Sequence, residues 1–167
     1  MKTLVIYYSQ TGNTRKAAEA VAAKLGADLA EIPCDRYPWS VRGLVRAGHD
    51  SVHREEPEVG RIDPDPSGYD RWVVGGPTWV WGEAPPVRTL LDWREPPRGG
   101  VAFFTTCGAE MTDRPLRRMA ETAGAMPIAE HTFELKHLKD AEALAAEAEA
   151  FAKAIGQSPA SGATSAH

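Results

Sequence analysis

The stretch Thr3-Leu4-Val5-Ile6-Tyr7-Tyr8, followed at once by Ser9-Gln10-Thr11-Gly12-Asn13-Thr14, decides the fold of this 167-residue chain. The first six residues are apolar or β-favouring, which predicts a buried strand, and the next six form a polar loop. A helix is predicted to begin near Asn13 or Thr14 and to end at Gly26, because apolar residues recur at helical spacing between them. Strand, loop and helix in this order start a βαβ unit.

Extended and helical patterns alternate along the rest of the chain. Strands are predicted at residues 2–8, 28–33, 70–76, 100–106 and 128–135, and further helices at 39–52, 85–94, 113–124 and 138–155. The first, third and fourth strands are the most continuously apolar, as central strands covered on both faces should be, whereas the second and fifth carry acidic residues typical of edges. We predict a three-layer α/β fold with a doubly wound, five-stranded parallel sheet of order 2-1-3-4-5.

Composition limits the classes of protein to consider. One domain over residues 1–156 is expected, followed by a disordered tail at 157–167 that is rich in Ser, Ala, Gly and Thr. No apolar run approaches the roughly 18 residues of a membrane helix, so no membrane insertion is expected. The net charge of −4 gives no general attraction to nucleic acid. Two cysteines, Cys34 and Cys107, favour a reducing, cytoplasmic location, and their predicted strands lie too far apart for a disulfide.

The loop Ser9–Thr14 is a candidate phosphate site because of its position. A helix amino terminus presents unpaired N–H groups and the positive end of the helix dipole, and hydroxyl groups add donors. Gly12 permits close approach or a positive φ. The glycine patterns of Rossmann dinucleotide sites and of nucleoside-triphosphate enzymes are absent. The alternative interpretation is a polar loop with a good helix cap.

Two further loops are predicted at the same edge of the sheet. The third strand ends in Gly75-Gly76-Pro77-Thr78-Trp79-Val80-Trp81-Gly82-Glu83, which places two indoles in a glycine-flanked loop, and the fourth ends in Thr105-Thr106-Cys107-Gly108. In the predicted strand order these loops meet the first loop at the topological switch point, where such sheets bind ligands. The alternative is that both tryptophans pack onto the domain or onto a dimer partner.

These motifs resemble the flavodoxin-like superfamily, in element order up to about residue 155. The resemblance implies that FMN is the cofactor, with its phosphate in the first loop and its ring between the other two. The implied phosphate residues are Ser9, Gln10, Thr11, Gly12, Asn13 and Thr14. The implied ring residues are Pro77, Thr78, Trp79, Val80, Trp81, Gly82, Thr105, Thr106, Cys107 and Gly108.

Three functions follow from this resemblance: an FMN electron carrier working with a redox partner protein, an FMN-dependent NAD(P)H or quinone oxidoreductase, and a binding module that has lost its flavin. The carrier is favoured because no second nucleotide motif is visible. His49 and His53 lack an evident third metal ligand, so we interpret them, with Arg42 and Arg46, as a solvated basic face that an acidic redox partner could meet. The sequence does not indicate the oligomeric state, and no catalytic side chain or metal site is predicted.

Overall fold

The computed structural model describes residues 1–108 and 113–158. The strands are β1 Thr3–Tyr7, β2 Asp28–Glu31, β3 Arg71–Trp79, β4 Gly82–Glu83, β5 Val101–Cys107 and β6 Glu130–Glu134. The helices are α1 Asn13–Leu25, α2 Val41–His53, α3 Pro85–Trp93, α4 Arg114–Ala123 and α5 Ala141–Gln157, with single 3-10 turns at Pro66–Gly68 and His137–Lys139.

The main sheet has the order β2-β1-β3-β5-β6, and every neighbouring pair is parallel. The predicted order 2-1-3-4-5 is confirmed, since β5 and β6 take the fourth and fifth places. The order reverses between β1 and β3, so their carboxyl ends form the switch point at which ligands of doubly wound folds bind.

The sheet separates two apolar cores. On one face Val5 and Phe104 pack with Val21 of α1 and Phe151 of α5. On the other face the side chains of β1, β3 and β5 pack with Leu90 of α3 and with residues of α2 and α4. Alternate residues of one strand serve both cores because successive side chains point to opposite faces. The three-layer architecture is therefore confirmed.

One close contact fixes how β3 lies beside β5. A Cβ atom built on Gly75 would lie 2.1 Å from Cζ of Phe104, so the phenyl ring occupies the space that any larger residue would need. Glycine at this position lets the ring cover the strand just before it reaches the switch point.

The prediction of a loop after residue 76 was wrong. β3 continues to Trp79 and pairs with β4 as a tight antiparallel hairpin, so Trp79 and Gly82 are strand residues and only Val80 and Trp81 form the turn. The last helix begins later than expected, because the Asp140 carboxylate accepts hydrogen bonds from the N–H groups of Glu142 and Ala143 and so sets its amino end.

Two further observations concern membrane spans and cysteines. No helix within residues 1–108 and 113–158 has the length and apolar character needed to span a bilayer. Cys34 and Cys107, both in the described part of the chain, are not joined by a disulfide. The tail that was predicted to be disordered lies, from residue 159 onward, outside the described residues.

Candidate functional site

The carboxyl ends of β1, β3 and β5 surround a cleft of about 210 Å³. Four parts of the chain line it: the loop after β1, the end of β3 with the end of β5, a segment before and within α2, and the residue after β6. Its walls are Gln10, Thr11, Asn13, Thr14, Trp39, Leu44, Pro77, Thr78, Trp79, Thr106, Gly108 and Leu135.

The loop after β1 leads directly into the amino end of α1. Gly12 has φ of 87°, a left-handed conformation that glycine adopts without strain, and it precedes the first helical residue. The N–H groups of Asn13 and Thr14 have no intrahelical partner because they belong to the first turn. Together with the positive end of the α1 dipole they form a site for an anion.

The Ser9 side chain shapes this loop from within. Its Oγ accepts hydrogen bonds from the Gly12 N–H at 3.1 Å and from the Arg15 N–H at 3.3 Å. The Arg15 guanidinium, in the first turn of α1, donates to the Tyr7 hydroxyl and to the Glu31 carboxylate. An anion on this loop would therefore be held by N–H and O–H groups and not by a basic side chain.

Thr78 presents an acceptor to the cleft. The Thr105 hydroxyl donates its single proton to the Gly76 carbonyl at 3.0 Å, so in the 2.8 Å contact between Thr78 and Thr105 the Thr78 hydroxyl is the donor. Only the lone pairs of Thr78 Oγ1 remain for a ligand. The cleft thus offers an acceptor at β3 opposite the donors of the first loop, which suits a ligand with an anionic end and an N–H edge.

A second threonine pair connects the loop to β5. The Oγ1 atoms of Thr14 and Thr106 lie 2.8 Å apart, and both side chains are buried. This hydrogen bond fixes the first turn of α1 against the strand that forms the opposite wall.

Trp79 forms the aromatic floor of the cleft and is held by two tyrosines. Its ring meets Tyr8 edge-on with centroids 5.7 Å apart, and Tyr37 edge-on at 5.2 Å. Burial raises the pKa of both tyrosines well above the ordinary value, so both hydroxyls stay protonated at neutral pH. Gln10 Nε2 donates to the Tyr37 carbonyl at 3.1 Å, which ties the first loop to the same cluster.

Trp39 is a cleft residue that was not predicted from the sequence. It precedes α2, lies 69% exposed and lines the cleft together with Leu44. It lies in the segment between β2 and β3, where the hydrophobic pattern does not predict the path of the chain back to the sheet. A tryptophan next to Pro38, in a turn after an edge strand, is the one local signal that could have drawn attention to it.

Several predicted residues lie at this edge of the sheet without lining the cleft. Ser9 faces a neighbouring cleft of about 580 Å³, and Thr105 is buried as a link between β3 and β5. Val80 and Trp81 occupy the hairpin turn with φ of 47° and 62°, and Trp81 is 55% exposed. Gly12, Gly82 and Cys107 also do not line it. Gly12 and Cys107 each precede or follow a lining residue in the chain, and Gly82 pairs with the lining residue Trp79 across the hairpin.

This topology gives the chain a flavodoxin-like fold, which confirms the resemblance drawn from its motifs. No family model matches the chain. A solved flavoprotein from Lactobacillus acidophilus, in complex with FMN, is 28% identical, with a TM-score of 0.69 over 78% of this chain and 92% of that one. Flavodoxin 2 from Bacillus cereus, at 20% identity, has a TM-score of 0.58 over 93% of this chain and 98% of that one.

Among curated proteins, an NAD(P)H dehydrogenase (quinone) from Cupriavidus metallidurans is 40% identical over 78 residues. The match involves 46% of this chain and 38% of that relative, so this chain corresponds to well under half of the relative's length.

Proposed function

We propose that this chain binds FMN in the cleft and uses it for electron transfer. The main support is that one cleft brings together a helix amino terminus, the acceptor of Thr78 and the indoles of Trp39 and Trp79. The flavoprotein from L. acidophilus, with which the chain shares fold and 28% identity, was solved with FMN, which supports this choice of ligand.

The residues present suit the parts of FMN. Backbone N–H groups of Asn13 and Thr14 and the Thr11 hydroxyl would hold the phosphate, and Thr78 would accept from a ring N–H. Trp79 and Trp39 would contact the flat ring, together with the backbone at Thr106 and Gly108. Bound FMN supplies the redox chemistry, and the chain orients the ring and sets its surroundings. The side chains of Trp79, Leu44 and Leu135 would exclude water from one side of it.

FMN and riboflavin titrations, followed by quenching of tryptophan and flavin fluorescence, test this proposal. FMN should bind about a hundredfold more tightly than riboflavin, because the phosphate gains at least two hydrogen bonds of about 1.5 kcal/mol each. Thr11→Val should weaken FMN binding about tenfold and leave riboflavin unaffected. The matched Thr122→Val change on α4, outside the cleft, should alter neither. Equal affinities for the two flavins would contradict the phosphate site.

A second candidate is an FMN-dependent NAD(P)H or quinone oxidoreductase, favoured by the 40% identity to the C. metallidurans enzyme. In that case two electrons and one proton leave NAD(P)H, a second proton comes from solvent, and a quinone becomes a quinol. In either role we place the protein in the cytoplasm, in line with its two cysteines.

Anaerobic mixing of the FMN-loaded protein with NADH or NADPH separates the two roles. Rapid loss of the visible flavin absorption, restored by a benzoquinone, would establish the oxidoreductase. A flavin that stays oxidised until a separate reductase is added would establish the carrier. We expect the flavin to stay oxidised until a reductase is added. Among the described residues, no arginine or lysine that could bind the phosphate of a second nucleotide lines the cleft.

A further inference from the structure

Helix α2 turns its large apolar side chains outward. Val41 is 78% exposed and Val45 69%, and Val52 lies on the same side of the helix. The positions packed inward are small or polar, namely Gly43, Ala47, Asp50 and Ser51. A helix on a monomeric domain normally has the opposite distribution, so this face is an unpartnered apolar surface.

The same face carries positive charge on a chain whose net charge is −4. Val41, Arg42, Val45 and Arg46 line one open groove, with His49 beyond them. Arg42 and Arg46 have no ion-pair partner in the described part of the chain, whereas Arg36 is paired with Asp50. Two carboxylates also line the groove: that of the buried Asp50, which Arg36 pairs, and that of the exposed Glu55.

Two residues at the start of α2 and just before it also line the cleft. Trp39 stands two residues before α2, is largely exposed and lines the cleft. Leu44, on the first turns of α2, is nearly half exposed and lines the cleft as well. A protein bound against α2 would therefore cover the opening at which a flavin ring would be reached.

We propose that Trp39, Val41, Arg42, Val45 and Arg46, the α2 surface, dock an acidic protein whose carboxylates surround an apolar centre. Arg42 and Arg46 would attract and orient this partner, and the valines and Trp39 would supply the apolar contact. This proposal adds the chemistry of the redox partner to the carrier function. The docking surface itself does not depend on that function, but the partner's role in electron transfer rests on it.

Two other occupants fit the surface less well. A second copy related by a two-fold axis would place the unpaired arginines of one copy near those of the other, which is unfavourable. An anionic membrane gains only about 1 kcal/mol per surface arginine, so two of them give weak attachment. A transient acidic protein partner needs no more than this modest charge and a small apolar centre.

A fluorescein-labelled helical peptide with leucines on one face, flanked by glutamates, is the probe. Its binding to the FMN-incubated full chain is followed by fluorescence anisotropy at pH 7.5. We expect binding that weakens about tenfold between 20 and 200 mM salt, because close opposite charges are screened over this range. A peptide with lysine in place of each glutamate should not bind.

Variants locate the contact. Arg42→Glu/Arg46→Glu should weaken binding at least tenfold, and Val45→Gln about threefold, since each removes a different component of the contact. The matched double reversal Lys139→Glu/Lys153→Glu, at exposed positions near and on α5, should leave affinity within about twofold. Equal losses in both double variants would show that net charge alone is responsible and would overturn the proposal.

Three further results would overturn the proposal. The acidic peptide could fail to bind at 20 mM salt, or the protein could bind phosphatidylserine-containing vesicles more tightly than the peptide. The third is a stable homodimer in sedimentation that the Val45→Gln change dissociates. The FMN titration is read separately in every sample. Peptide binding without FMN uptake would refute the proposed cofactor and support the docking surface. FMN uptake without peptide binding would support the cofactor and refute the docking surface.

Discussion

Within residues 1–108 and 113–158 two carboxylates are buried, and their hydrogen-bonding capacity is satisfied to different degrees. Asp50 of α2 uses both oxygens: Oδ2 accepts from Arg36 Nε at 2.6 Å and from the Tyr37 hydroxyl at 2.9 Å, and Oδ1 contacts His49 Nδ1 at 3.1 Å. Glu83 of β4 accepts from Arg88 Nε at 2.7 Å through Oε1. Its Oε2 and the Arg88 Nη2 have no hydrogen-bond partner among the described residues.

Each carboxylate supports a different wall of the cleft. Asp50 holds Tyr37, which packs on Trp79 and whose carbonyl binds Gln10. Glu83 is paired in register with Thr78, the acceptor at the other wall. The fully hydrogen-bonded Asp50 network stabilises its wall directly. The buried Glu83–Arg88 ion pair, which has unused polar atoms, adds little stability compared with apolar residues, but removing one partner is strongly destabilising. The two walls should therefore respond differently to mutation.

Arg88→Met should have the largest effect, because it removes the 2.7 Å partner of the buried Glu83 charge and leaves only the Arg54 Nη2, 3.8 Å from Oε1. We expect a loss of about 3–5 kcal/mol in the free energy of unfolding, measured by urea denaturation. The control is Glu83→Leu/Arg88→Met, which removes both charges and should return stability to within about 1 kcal/mol of the wild type. A double variant as unstable as the single one would show that packing and not charge dominates at this wall.

Asp50→Asn should cost less, about 2 kcal/mol at pH 7, because the new amide keeps some hydrogen bonds and loses the ionic ones. The FMN dissociation constant should rise as well, since Tyr37 and the Trp79 that packs on it lose their support. Asp35→Asn, a nearby exposed change, serves as the matched control. Unchanged stability would mean that Arg36 and Tyr37 find other partners without strain.

The stability difference between wild type and Asp50→Asn should depend on pH. Burial raises the pKa of Asp50, but hydrogen bonds from Arg36, His49 and Tyr37 outweigh it and lower the pKa to about 2. A carboxyl with a depressed folded-state pKa stabilises fully above its unfolded value of about 3.9 and loses this contribution as pH falls toward 2. The difference should thus stay constant from pH 7 to 5 and shrink below pH 4 in parallel urea titrations.

Tyr37→Phe should have the smallest effect, about 1 kcal/mol, because Asp50 keeps Arg36 and His49 after losing one neutral donor. The phenyl ring preserves the edge contact with Trp79, so FMN affinity should change less than twofold. Thermal unfolding and the FMN titration measure the two quantities. A large drop in affinity would assign the hydroxyl a direct part in the site.

The strands and the first loop were predictable because their signals are local. Apolar runs separated by helical periodicity predict a doubly wound sheet, and the strand order then brings Thr14, Thr78 and Thr106 to one edge. The hairpin was missed because Val80 and Trp81 lack the Asn-Gly or Asp-Gly signature of two-residue turns. Trp39 was missed because the segment that carries it is held by contacts between distant parts of the chain: the neighbouring Tyr37 binds Asp50 and Gln10.

The hairpin tip has a consequence for how this sequence distributes its stability. Val80 and Trp81 both adopt the left-handed backbone conformation, which costs a residue with a side chain roughly 1–2 kcal/mol. An Asn-Gly tip would adopt the same turn with less strain. The two residues therefore lower the thermodynamic stability of the domain, and they place two exposed apolar side chains beside the cleft. Selection for stability alone would not favour these two residues at the turn.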